Sequence, residues 1–116
     1  MKYFHRVALG LILSFAAQAA SACAMLDHAD PRVGSVTDSS ISRVSLTFTG
    51  KIFPEKSTLE VRDEAGEIMS TGKPSGSDTV LAVAVKPLHP GKYKVRWNTF
   101  CDCGSFAPGS YPFTVK

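Results

Sequence analysis

The feature that most constrains this chain is a side-chain period of two, sustained along nearly its whole length. Tyr93, Val95 and Trp97 alternate with Lys92, Lys94 and Arg96. Val44, Leu46 and Phe48 alternate with Ser45 and Thr47, and Leu59 and Val61 with Glu60 and Arg62. Leu81, Val83 and Val85 alternate with Ala82 and Ala84, apolar on both sides and so suited to a central strand. Successive side chains of a strand point to opposite faces, so this alternation makes half-buried strands and cannot make the stripe of an amphipathic helix. Tyr111, Phe113 and Val115 close the series, with Pro112 restricting that strand to an edge or a bulge because it has no N–H to donate. Turn chemistry separates the strands at Pro31 to Gly34, Glu64-Ala65-Gly66, Pro74-Ser75-Gly76 and Pro90-Gly91. Short strands at this spacing, without a helix, predict an all-β antiparallel sandwich with Greek-key connections.

Ahead of this pattern stands a different kind of segment. Lys2, His5 and Arg6 precede an apolar run from Val7 to Ala17, and small residues follow from Ala19 to Ala22. That order is the basic, apolar and small-residue pattern of a secretory signal peptide, and the run falls short of the ~20 residues a bilayer span needs. We therefore read residues 1–22 as a leader and 23–116 as one small domain, exported to the periplasm. Cleavage after Ala19, Ala22 or Ala24 fits the small-residue rule, and cleavage after Ala22 would make Cys23 open the mature chain; Ala20-Ser21-Ala22-Cys23 also resembles a lipobox, and membrane attachment would follow only from lipidation of Cys23. Without Lys2 and Arg6 the remainder has eleven basic and ten acidic side chains, a net charge of about +1. No basic run interleaved with aromatics remains, which argues against a nucleic-acid surface. No nucleophile stands beside a histidine in sequence, and there is no Cys-x-x-Cys at a helix start, so the chain does not read as an enzyme.

Four segments carry a resemblance. Leu26 to Ser35 reads L-D-H-A-D-P-R-V-G-S, Arg43 to Phe48 reads R-V-S-L-T-F, Pro87 to Trp97 reads P-L-H-P-G-K-Y-K-V-R-W, and Gly109 to Val115 reads G-S-Y-P-F-T-V. In order and spacing these resemble the CopC domain of bacterial copper-resistance proteins. The resemblance implies a seven-stranded immunoglobulin-like or cupredoxin-like sandwich. It also implies Cu(II) held by an N-terminal histidine and by an Asp-x-His element before the last strand. The partners it implies are a metal ion and a membrane copper transporter or another periplasmic copper protein.

The ligand positions depart from that pattern. Where the family places its N-terminal histidine, this chain has Cys23, and the second element reads Cys101-Asp102-Cys103-Gly104-Ser105. Aligned on Gly109 without a gap, Cys103 falls on the family's aspartate and Ser105 on its histidine. With one inserted residue, Asp102 keeps its place and Gly104 falls on the histidine. All three cysteines of the chain thus lie in the family's two ligand-bearing segments.

Two readings of the cysteines stand side by side. In one, Cys23, Cys101 and Cys103, helped by Asp102, form a thiolate site; soft sulfur selects Cu(I) or Zn(II) over Cu(II), and in a strand Cys101 and Cys103 would share a face. Met25 and His28 are weaker candidates for the same site, since an isolated Met is usually packing and a lone His usually hydrogen-bonded at the surface. In the other reading two of the three cysteines form a disulfide, as an oxidising compartment favours, and the sandwich is a stapled interaction module without metal. Cys23 to Cys101 or Cys103 is the favoured pairing. Residues two apart in extended chain lie near ~6.5 Å between Cα atoms, close to the upper end for a bridge, which disfavours Cys101 to Cys103.

Overall fold

A computed structural model describes residues 24–116. Eight strands are found among them: β1 (Leu26–Asp30), β2 (Val36–Thr37), β3 (Arg43–Phe48), β4 (Thr58–Asp63), β5 (Ser70–Ser77), β6 (Val80–Val85), β7 (Gly91–Phe100) and β8 (Phe106–Val115). A single 3-10 turn, Pro54–Lys56, precedes β4. The strands form two four-stranded sheets, ordered β1-β3-β6-β5 and β2-β8-β7-β4. The chain crosses between them at every connection except β5 to β6 and β7 to β8, giving the expected Greek-key sandwich. The count is eight and not seven because Val36 and Thr37 pair in parallel with Thr114 and Val115, a two-residue ladder too short to leave a sequence signal.

The alternations resolve into the core. Val44, Leu46 and Phe48 face Leu81, Val83 and Val85 within one sheet, while Leu59, Val61, Tyr93, Val95, Tyr111, Phe113 and Val115 come from the other; all are buried. Tyr93 and Phe113 stack at 5.5 Å between ring centroids. β6 is central, as its two-sided apolarity predicts, lying between β3 and β5. Pro112 sits in β8 opposite Lys94, and its carbonyl accepts from the Gly34 amide at 2.8 Å. Its missing N–H therefore faces the side where β2 has not yet begun.

One expected turn is a strand. Pro74-Ser75-Gly76 lies inside β5, which pairs with β6 but slips register between Thr71 and Ser75. β5 is an edge strand, and an edge with a bulge tolerates both a proline and glycines that a central strand would not. A Cβ at Gly76 would collide with the Val80 carbonyl, so glycine is what lets this edge close on β6.

Candidate functional site at the Cys101–Cys103 turn

The long β7–β8 hairpin pairs ten residues on each side, from Gly91 with Val115 to Phe100 with Phe106. Residues 101–105 are its connection. The Cys101 amide donates to the Ser105 carbonyl at 3.0 Å, and the Gly104 amide to the Cys101 carbonyl at 2.9 Å. Gly104 has φ +85°, a left-handed conformation that glycine adopts without the penalty a side chain would bring. The segment is thus a tight turn and not the extended strand the sequence suggests. Turning brings the Cα atoms of Cys101 and Cys103 to 5.4 Å, inside the range a bridge needs, and sets the two sulfurs against each other. The geometric objection to this pair, which assumed extended chain, therefore falls away.

The two cysteines differ in environment. Cys101 is 1% exposed and pairs with Ile52 across an isolated bridge, whereas Cys103 and Asp102 are exposed. The Asp102 amide donates to the Lys51 carbonyl at 3.0 Å, which pins the turn to the segment after β3. Ser105 Oγ lies 3.3 Å from Cys103 Sγ and 3.8 Å from Cys101 Sγ. Aromatic rings floor the turn: Phe100 meets Phe106 at 5.0 Å and Phe53 at 6.1 Å, and Lys56 Nζ stands 5.0 Å over Phe100.

The start of the described chain reaches the same end of the sandwich. The Met25 amide donates to Thr49 Oγ1 at 3.0 Å, and the Thr49 amide to the Met25 carbonyl at 2.8 Å. Ala24 is buried next to Gly50. Residues 49 and 50 thus hold the chain start, and residues 51 and 52 hold the cysteine turn. Cys23 and the leader at 1–22 lie outside the described residues.

A family model for the CopC domain matches residues 26–116. The chain belongs to the CopC domain family. Among solved structures, CopC from Methylosinus trichosporium OB3b superposes with a TM-score of 0.75 at 25% identity, covering 80% of this chain and 93% of that one. PcoC, a methionine-rich copper resistance protein from Escherichia coli, superposes with a TM-score of 0.71, covering 82% of this chain and 100% of its own; at 20% identity it shows the shared fold alone. No curated protein sequence matches the chain.

Within this CopC domain the remaining candidates are dispersed. His28 lies on β1, exposed, with Nδ1 3.1 Å from the Asp27 carboxylate. It lines a shallow hollow with Ala29, Arg32 and Val33, none of them a cysteine. His89 precedes β7 at the opposite end, where its carbonyl accepts from the Tyr93 hydroxyl at 2.6 Å. Met25 is exposed. Among the described residues no three His, Cys, Asp or Glu side chains converge to hold a metal ion. The turn sets the two sulfurs in contact with each other, and Asp102 adds an exposed carboxylate between them in sequence. Sequence reasoning placed Ser105 only as the counterpart of a family histidine. Its hydroxyl beside both sulfurs depends on the turn, which Gly104 alone signals.

Proposed function

We propose that this CopC domain is an exported, periplasmic copper-binding protein that carries or buffers copper, not an enzyme, and that it holds Cu(I) through sulfur. Membership of the CopC family supports the copper function. The single observation that carries the sulfur reading is the pairing of Cys101 and Cys103 in one turn, at the end of the sandwich where Ala24 and Met25 begin the described chain. Once reduced, the two adjoining sulfurs would match a soft ion, and the neutral imidazole and amine donors that suit Cu(II) are missing from the turn. Cys23, one residue before Ala24, is the natural third sulfur, and Asp102 an auxiliary oxygen donor. A membrane copper transporter or a second periplasmic copper protein is the partner class such a carrier serves.

The test is an anaerobic titration of the reduced protein with Cu(I) against a competing chromophoric chelator. One Cu(I) per chain is expected, with at least tenfold weaker binding in Cys103→Ser, a substitution at an exposed site that leaves the core untouched. Equal retention by wild type and variant would remove the sulfur site. A second reading, a metal-free module stapled by a disulfide, draws on the same contact between the sulfurs. It gains if the reduced protein takes up no copper at all.

A further inference from the structure

The two sulfurs of the turn are unequal in a way that metal binding does not require. Cys101 is 1% exposed, whereas Cys103 is exposed and followed by a glycine. A Cβ at Gly104 would meet nothing within 4 Å, so the space around the turn is open to an approaching group. Ser105, also exposed, sets its Oγ 3.3 Å from Cys103 Sγ and farther, 3.8 Å, from Cys101 Sγ. The Cα spacing of 5.4 Å lies inside the range a bridge needs and is set within the short connection between β7 and β8.

We propose that the Cys101–Cys103 turn is a thiol–disulfide exchange site, with Cys103 the sulfur that meets an accessible disulfide of another molecule and Cys101 the sheltered sulfur that resolves the product. The Cys103 thiolate attacks one sulfur of the substrate disulfide; that bond breaks and the first substrate thiolate leaves with the electron pair. A mixed disulfide joins Cys103 to the second half. The Cys101 thiolate then attacks Cys103 Sγ and expels the second substrate thiolate. The two protein sulfurs are oxidised by two electrons, the substrate disulfide becomes two thiols, and the two thiol protons of the protein pass to them. In reverse, the oxidised turn accepts electrons from a substrate dithiol. The rate of such exchange depends on access to the attacking sulfur, and access singles out Cys103. The site shares its sulfurs with the copper reading but needs no metal.

The experiment uses reduced protein in chelator, so that loss of copper binding and loss of exchange are read separately. Oxidised glutathione is added, samples are quenched in acid, remaining thiols are alkylated, and peptides are mapped by mass. Wild type is expected to end with Cys101 linked to Cys103. Cys101→Ser should stop with one glutathione on Cys103, while Cys103→Ser should react at least tenfold more slowly. Because Cys101 is buried, its replacement can disturb folding, so the wild type is also pulsed with iodoacetamide, where Cys103 should be alkylated at least tenfold faster than Cys101. Equal alkylation of the two, or a bridge that maps to Cys23, would overturn the assignment. A parallel series with a disulfide-linked peptide dimer distinguishes a polypeptide source of the disulfide from a small-molecule one. Reaction with neither probe sinks the proposal and leaves the copper titration standing.

Discussion

Tyr111 ties two distant parts of the molecule with one atom. Its ring is 3% exposed, and its hydroxyl donates to the Pro31 carbonyl at 2.7 Å, joining β8 to the turn after β1. Burial, with the charge of Asp30 nearby, pushes its phenol well above the usual value of 10.0. The neutral phenol is the form the folded state holds, so the stability it contributes is complete below about pH 10 and is lost as pH rises from there towards the folded-state value. Tyr111→Phe keeps the ring but leaves the carbonyl without this donor, a loss of about 1–3 kcal/mol. Urea denaturation of both proteins at a series of pH values should show a constant gap below about pH 10 that narrows above it. A gap unchanged through the alkaline range would mean that Tyr111 titrates as it does in the unfolded chain. The ring was legible as core from its alternation with Pro112. The partner of its hydroxyl was not, since Pro31 is 80 residues away in sequence and no local pattern encodes it.

Strands β7 and β8 show why some elements announce themselves and others do not. β3, β4, β7 and β8 bury one face each and so carry the period of two, while β6 is buried in part on both faces and is apolar throughout. β5 buries little, as an edge strand rich in Ser and Gly, and its proline reads as a turn because its backbone pairs on one side only. The cysteine turn was misjudged as extended for a related reason: the hairpin ends at Phe100 and Phe106, and alternation gives no warning of where pairing stops. Inside the hairpin, Gly109 lies opposite Trp97, and the indole occupies the space a Cβ at Gly109 would need. The ring also packs edge-on to Phe48 at 6.2 Å, linking the two sheets. Gly109→Ala should therefore displace Trp97 and destabilise the domain by about 1–3 kcal/mol, the usual cost of overpacking. Trp97 is the single tryptophan of the chain, so its fluorescence reports the displacement directly. A variant with wild-type stability and an unshifted emission maximum would show that the hairpin yields without strain.

At the scale of the whole molecule, the sandwich is stapled only as far as its bridge spans the chain. The core of both sheets closes without the cysteine turn: Cys101 contributes to it, but Val44, Leu46, Val61, Leu81, Val95, Phe113 and Val115 are buried independently of any sulfur bond. A crosslink stabilises chiefly by shrinking the unfolded ensemble, and the effect grows with the loop it closes. Cys101 to Cys103 closes three residues, which by the chain-entropy relation is worth about 1.6 kcal/mol. Cys23 to Cys101 would close 79 residues and be worth about 4.5 kcal/mol. Urea denaturation of metal-free protein, with and without a phosphine reductant, separates the two. With the bridge inside the turn, reduction should lower stability by about 1.6 kcal/mol at most, a fall in Tm of roughly 6–13 °C for a domain of this size. The domain stays folded, as a site that is opened and closed by exchange requires. A loss near 4.5 kcal/mol would place the bridge between the first cysteine and the turn, making the sulfur pair a structural staple in place of an exchangeable one.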